Sequence, residues 1–208
     1  IDWGNANYSQ PDEHLSEVRL DDGTYRVFYT AGNNAKGITD GIVTRSVISE
    51  VFYSDDNGAT WTKSENSPLE TSNLAYWCES HIIKIKDGPL IHYSTYNSSY
   101  TMRYSLSYDN GVTWEGDYAM PELPCGLHSF TIEEDPYEAG TYYMATVYNA
   151  PSNIQNGFPR HRVVLLRSYD GFNWEFLADV DRWGDVSNAT GGNIMQNVNM
   201  YLYITEDY

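Results

Sequence analysis

A chain of 208 residues is long enough to bury a sizeable core in one or two domains. Its net charge of −17 argues against nucleic acid and against anionic membrane surfaces as partners, and no apolar run reaches the length that a bilayer span requires. Aromatic residues make up 15%, with 19 Tyr and 6 Trp beside 16 Gly and 8 Pro, a mixture suited to many short strands joined by turns.

In chain order, the first predicted unit opens with Glu17–Leu20, a tight turn at Asp22-Gly23, and a second strand through Tyr25–Tyr29. The second opens with Ile82–Lys86, turns at Asp87-Gly88, and returns through Leu90–Tyr93. The third runs from Phe130 to Ile132, takes a longer turn over Glu133–Gly140, and returns through Thr141–Ala145. A fourth begins at Asn193. In the first three units a third strand leads into a hairpin with a shared signature. It reads Ser54-Asp55-Asp56-Asn57-Gly58-Ala59-Thr60-Trp61, then Ser107-Tyr108-Asp109-Asn110-Gly111-Val112-Thr113-Trp114, then the contracted Ser168-Tyr169-Asp170-Gly171-Phe172-Asn173-Trp174.

The residues of this turn have plain structural roles. Asp accepts backbone N–H groups of its own loop, Gly supplies the positive φ that closes the hairpin, and Trp anchors the turn in apolar surroundings. The calcium-loop pattern is not matched, so Asp56, Gly58, Trp61, Asp109, Gly111, Trp114, Asp170 and Trp174 are read as structural. Four antiparallel strands per unit, repeated about every 50 residues, is the plan of a β-propeller blade. The expected units are 13–68, 77–123, 126–181 and an incomplete one from 186 to 208, all in one partial domain.

The signature resembles the Asp-box (BNR) repeat of the sialidase superfamily, and the resemblance covers nearly all of the chain. It implies a six-bladed β-propeller, of which about three and a half blades are present. Because a propeller must close to cover its blade edges, the remaining blades are expected from a longer chain or from a second chain. The chain starts at Ile1 without a signal-peptide pattern, which fits a mature form or an excised piece.

The second unit carries the resemblance into chemistry. Glu79-Ser80-His81-Ile82-Ile83-Lys84-Ile85-Lys86-Asp87-Gly88 is similar to the family stretch in which a Glu opens an innermost strand and helps activate a Tyr nucleophile. The family's early-loop acid/base Asp has Asp40 as its nearest counterpart. Two positions of the family's arginine triad carry other residues: Thr95 stands at one, and Glu13-His14-Leu15 replaces the motif at the other. Neither Glu nor Thr offers the planar bidentate fork that grips a carboxylate, which argues against true sialidase specificity.

Matching positions of the inner strands should form a ring at one channel mouth. Laid on one another, the units put His14, Glu79, Gly126 and Thr190 at one level, and Ser16, His81 and His128 two residues on. Cys78 and Cys125 match as well, as one disulfide or two thiols. Glu79, with Glu13 as its carboxylate partner, is the expected catalytic pair of a glycoside hydrolase, and His81 and His128 are candidates for proton transfer. His14 and Thr190 are candidate substrate-binding residues, while Trp77, Tyr96 and Trp183 would stack on sugar rings. His81, His128 and Glu79 lack a diagnostic metal spacing, so neither metal nor cofactor is expected. The reading is a secreted or cell-surface sialidase-like hydrolase acting on a glycan or polysaccharide. A uronic-acid polysaccharide lyase and a non-catalytic carbohydrate-binding propeller are the competing classes.

Overall fold

The computed structural model describes residues 14–39, 42–66, 69–70, 80–96, 101–120, 123, 125–148, 162–182, 202 and 204. All elements within them are strands, arranged in three antiparallel sheets that follow the chain without crossovers. The first sheet contains β1 (His14–Arg19), β2 (Tyr25–Thr39), β3 (Ile42–Ser54) and β4 (Thr62–Lys63), with β5 (Leu69–Glu70) also paired to β3. The second contains β6 (Ser80–Lys84), β7 (Leu90–Tyr96), β8 (Thr101–Ser107) and β9 (Glu115–Met120). The third contains β10 (Cys125–Glu134), β11 (Tyr142–Tyr148), β12 (Arg162–Ser168) and β13 (Glu175–Arg182). Apart from positions 202 and 204, the half-unit expected from 186 onward lies outside the described residues.

The leading strands of the sheets meet one another, β1 against β6 and β6 against β10. The sheets therefore stand as consecutive blades with their first strands innermost. The alternation of side chains along β6 and β7 explains the stacking. Ile82 and Leu90 face blade 1, in a core with Val18, Leu20, Phe28, Val51 and Trp114. Their neighbours Ile83, Ile91 and Tyr93 face blade 3, in a core with Phe130, Ile132, Tyr142, Met144 and Val164. A strand packed on both faces is buried along its length, as Leu90–Ser94 of β7 are, whatever the polarity of the individual residues.

The signature turns form as their residues require. Ser54 Oγ accepts the Gly58 N–H at 2.8 Å and donates to Asp56 Oδ1 at 2.8 Å. Asp56 in turn accepts the Thr60 N–H at 2.7 Å and the Thr60 hydroxyl at 2.7 Å. Ser107, Asp109, Gly111 and Thr113 repeat these bonds in blade 2. In the contracted third turn Asn173 takes the place of Thr, and its amide donates to Asp170 Oδ2 at 2.7 Å. Asn57 and Gly58 both have positive φ, as do Asn110 and Gly111, so the tight reversal falls on the two residue types that tolerate it.

Each turn of the later blades also docks on the blade before it. Ser64 donates to Gly111 C=O at 2.6 Å, and the Glu65 N–H donates to Val112 C=O at 2.9 Å. One blade later, the Tyr93 hydroxyl donates to Gly171 C=O at 2.5 Å.

Two features depart from the predicted units. The hairpin of β2 and β3 continues in register from Val27↔Ser54 out to Thr39↔Ile42, far beyond the length of β7 or β11. In blade 3 the turn closes later. The N–H donors of Leu20, Ile85 and Asp135 bond Thr24, Pro89 and Thr141 carbonyls, which makes these three donors equivalent. Thr131, not His128, therefore stands level with His81 and Ser16. His128 falls in the irregular stretch between the Cys125↔Tyr148 and Phe130↔Thr146 pairs.

Candidate functional site

The candidate site is the rim where β1, β6 and β10 begin. Of the residues singled out there, Glu13, Trp77, Glu79, Trp183 and Thr190 lie outside the described residues, as do Asp40 and Cys78. His14 opens β1, Tyr96 closes β7 and His128 lies within β10, so the backbone places all three towards one end of their blades. His81 is the one whose side chain is described.

Two hydroxyl bonds fix the start of β6. The N–H of Ile82 points out of its own ladder, as an innermost strand requires on its free edge, and donates to Ser16 Oγ of blade 1 at 3.0 Å. Ser80 Oγ shares a hydrogen bond with Thr30 Oγ1, also of blade 1. Ser16, Thr30 and Ser80 are all buried, so these bonds operate without competition from water. On the opposite face the His81 ring lies 6.5 Å from the ring of Phe130 in blade 3. The strand that begins directly after Glu79 is thereby held from both sides.

Behind His81 sits His92, a residue that sequence reasoning left in the core. It is fully buried, 5.9 Å from the Trp114 ring in an edge contact, and neither ring nitrogen has a hydrogen-bond partner among the described residues. Burial pushes its pKa from 6.5 to about 3, and the nearby His81 adds to the shift. His92 is thus held neutral. Its only sequence signal is a polar residue inside the buried run Leu90-Ile91-His92-Tyr93.

The carboxylates of the signature turns are held ionised for a structural reason. The Thr60 hydroxyl and N–H bring Asp56 down to about 2. Burial pushes Asp109 up, but the Thr113 hydroxyl and N–H and the Ser107 hydroxyl outweigh it, and the net shift is downward. A carboxylate saturated by its own turn is a poor acid or base, which agrees with the structural role read from the sequence. Among the described residues no group of three or more His, Cys, Asp or Glu could hold a metal ion.

No family model matches the chain, and no curated protein matches it. Solved structures do. The chain is similar to Hadza microbial sialidase Hz136 at 17% identity with a TM-score of 0.55, covering 80% of this chain and 30% of that one. It is similar to a structure described as NanB plus Optactamide at 15% identity with a TM-score of 0.53, covering 79% of this chain and 23% of that one. A third match is the intramolecular trans-sialidase from Ruminococcus gnavus, at 18% identity and a TM-score of 0.47, over 74% of this chain and 35% of that one. The fold is a β-propeller of four-stranded antiparallel blades. At these identities the likeness is one of fold, and the chain spans about a third or less of the length of these structures.

Proposed function

We propose that the chain is part of a carbohydrate-active, sialidase-like glycoside hydrolase whose catalytic rim includes Glu79. The observation that carries this reading is the anchoring of β6. Ser16 and Thr30 on one side and Phe130 on the other fix the strand start that adjoins Glu79 in sequence. A catalytic carboxylate must be held within a fraction of an ångström, and rigid strand ends supply that precision better than loops. The shared propeller fold with a sialidase supports the same assignment.

In this reading the signature turns are Asp-box repeats, and the remaining blades come from a longer chain. Glu79 acts as nucleophile or base, or activates a Tyr nucleophile, with Glu13 as the second carboxylate. A separation of about 5 Å between two such carboxylates gives retention, and about 6.5–9.5 Å gives inversion. His81 and His128 move protons, while His14, Thr190, Trp77, Tyr96 and Trp183 receive the sugar. The substituted arginine-triad positions turn the specificity away from sialic acid, and the acidic surface suits a secreted protein.

The test is mass spectrometry of products from sialosides, arabinans and uronic-acid polysaccharides, comparing the longest chain with its Glu79→Gln variant. Water-added products that fall by at least about a hundredfold in the variant are expected, because a group that assists proton transfer contributes on that order. Unsaturated products would make the protein a lyase, and binding without turnover would make it a carbohydrate-binding propeller.

A further inference from the structure

Blade 1 leaves open a face that blades 2 and 3 bury. The ladders align Tyr25, opposite Arg19, with Leu90, opposite Lys84, and with Tyr142, opposite Glu134. Leu90 and Tyr142 turn towards the preceding blade and are buried, whereas Tyr25 is 53% exposed. At the start of the inner strands Ser80 and Phe130 are buried, and Leu15, which stands level with them, is 63% exposed. The turn glycines agree. A Cβ on Gly111 or Gly171 would strike the preceding blade, while one on Gly58 would meet Trp61 of its own turn. A stacked repeat with a neighbour on one side only has an unpartnered face on the other.

The two existing interfaces show what such a face receives. The Tyr142 hydroxyl accepts the Lys86 N–H at 2.8 Å and donates to Lys84 C=O at 3.1 Å, both at the first turn of blade 2. Tyr25 carries the same hydroxyl at the same place. Lys84 reaches Asp21 of blade 1 at 3.1 Å, and Arg19 stands where Lys84 does. Val18 shares a core with Ile82, and Ile83 shares the next with Ile132. Glu17 takes the place of Ile82 and Ile132, so the residue that an incoming blade carries at the Val18 position packs beside a carboxylate and has to be a cation.

Blade 3 of a second copy does not meet these needs. Its register puts Glu133 at the place of Val18 and Ile83, where it would face Glu17 with a like charge. Pro136 follows Asp135 as Asp21 follows Leu20 and Lys86 follows Ile85, so it offers neither a carboxylate to Arg19 nor an N–H to Tyr25. Ala145 stands where Phe28 and Tyr93 receive a turn glycine.

We propose that the open face of blade 1, formed by Leu15, Glu17, Arg19, Tyr25 and Gly58, is the seat of a further blade of the longer chain. That blade brings a cation to Glu17, a carboxylate to Arg19 and its first turn to the Tyr25 hydroxyl, and a second copy of this chain does not take its place. The inference rests on the partial-propeller part of the proposed function and is independent of the chemistry at the rim.

The experiment is hydroxyl-radical footprinting, read by mass spectrometry, of the 208-residue chain and of the longest chain that contains it. Tyr108, which stays exposed although blades stand on both sides of it, is the open reference, and Tyr142 is the buried one. Tyr25 should be modified like Tyr108 in the 208-residue chain and fall to the level of Tyr142 in the longest one, with Leu15 losing its modification alongside. Glu17→Lys should restore modification of Tyr25 in the longest chain, and circular dichroism reports whether the variant is folded. Tyr25→Phe, which keeps the ring and removes the hydroxyl, is a second variant scored at Leu15, whose modification should rise. Sedimentation of the 208-residue chain should show a monomer. A dimer in which Tyr25 is protected would give the seat to a second copy and overturn the proposal. Equal modification of Tyr25 in the two chains, or protection unchanged in folded Glu17→Lys, would overturn it as well. Hydrolysis products from a longest chain with Tyr25 unprotected would leave the hydrolase reading in place without the seat, and protection without products would do the reverse.

Discussion

The two blade interfaces use the same turn in the same place but fill the space behind it differently. Between blades 2 and 3 the packing is apolar, with Ile85, Ile91, Met144 and Val164, and the buried Tyr93 hydroxyl finds Gly171 C=O. Tyr142 does the same at its own position, accepting the Lys86 N–H at 2.8 Å and donating to Lys84 C=O at 3.1 Å. Between blades 1 and 2 a smaller core of Phe28, Leu90 and Trp114 surrounds His92, whose ring nitrogens find no partner among the described residues. A repeated backbone thus does not imply equal stability. One interface satisfies its two buried tyrosine hydroxyls, and the other carries a desolvated imidazole immediately behind the candidate site.

The largest expected effect comes from titrating that imidazole. In the unfolded chain His92 binds a proton near 6.5, whereas in the folded chain burial delays this to about 3. Between these values the unfolded state holds more protons, so stability is complete above 6.5 and declines as the pH falls. The slope is about 1.4 kcal/mol per pH unit for this one group, or about 3 kcal/mol by the time pH 4.5 is reached. Asp56 and Asp109, whose pKa values are lowered, begin to contribute their own losses only below their ordinary value of 3.8. Urea unfolding at intervals from pH 7 to 4.5 should therefore follow His92, and His92→Leu should flatten the curve. An equally steep curve in a folded His92→Leu protein would assign the acid sensitivity to another group.

Next in size are the glycines at which the turns dock. A Cβ on Gly111 would fall well inside contact distance of the Phe28 ring, and one on Gly171 would do so with Ile85. Both residues also have positive φ, at 87° and 75°. Overpacking and backbone strain together give Gly111→Ala and Gly171→Ala an expected cost of about 2–3 kcal/mol each, read as a lowered midpoint in chemical unfolding. Tyr93→Phe should cost less, about 1–2 kcal/mol, because it leaves Gly171 C=O without this donor while keeping the ring's packing.

The blades were legible in the sequence because their punctuation is chemical. Ser, Asp, Gly and Trp at fixed offsets specify a hairpin whatever the strands around it contain. The long extension of the β2–β3 hairpin was not legible, since Ala31-Gly32-Asn33-Asn34-Ala35-Lys36-Gly37 has the composition of a loop, and only pairing with the β-branched Ile42–Ile48 stretch makes it a strand. The ring of rim residues was legible in part. Ser16 and His81 are level as the alignment required, but the longer turn from Asp135 to Thr141 moves Thr131 into the place expected for His128. The one local signal at His92 is its place in the run Leu90–Tyr93, and that does not distinguish a histidine facing a neighbouring blade from one facing water. The role proposed for Glu79 rests on the family resemblance, and that proposed for Glu13 rests on the need of a glycoside hydrolase for a second carboxylate; both lie outside the described residues.

The smallest effect isolates what docking contributes. Gly58 has the φ of Gly111, 85° against 87°, and the same Ser and Asp partners around it. A Cβ there would meet the side chain of Trp61 at 3.4 Å and otherwise enter open space among the described residues. Gly58→Ala should therefore cost only the backbone strain, about 1 kcal/mol. Because the turns match, subtracting this value from that of Gly111→Ala leaves the clash with the preceding blade, about 1–2 kcal/mol. Equal costs at the two positions would mean that strain dominates and that the contact with Phe28 relaxes freely. In a longer chain that seats another blade on blade 1, the cost at Gly58 should rise to that at Gly111, so the same substitution also reports whether the ring of blades continues on that side.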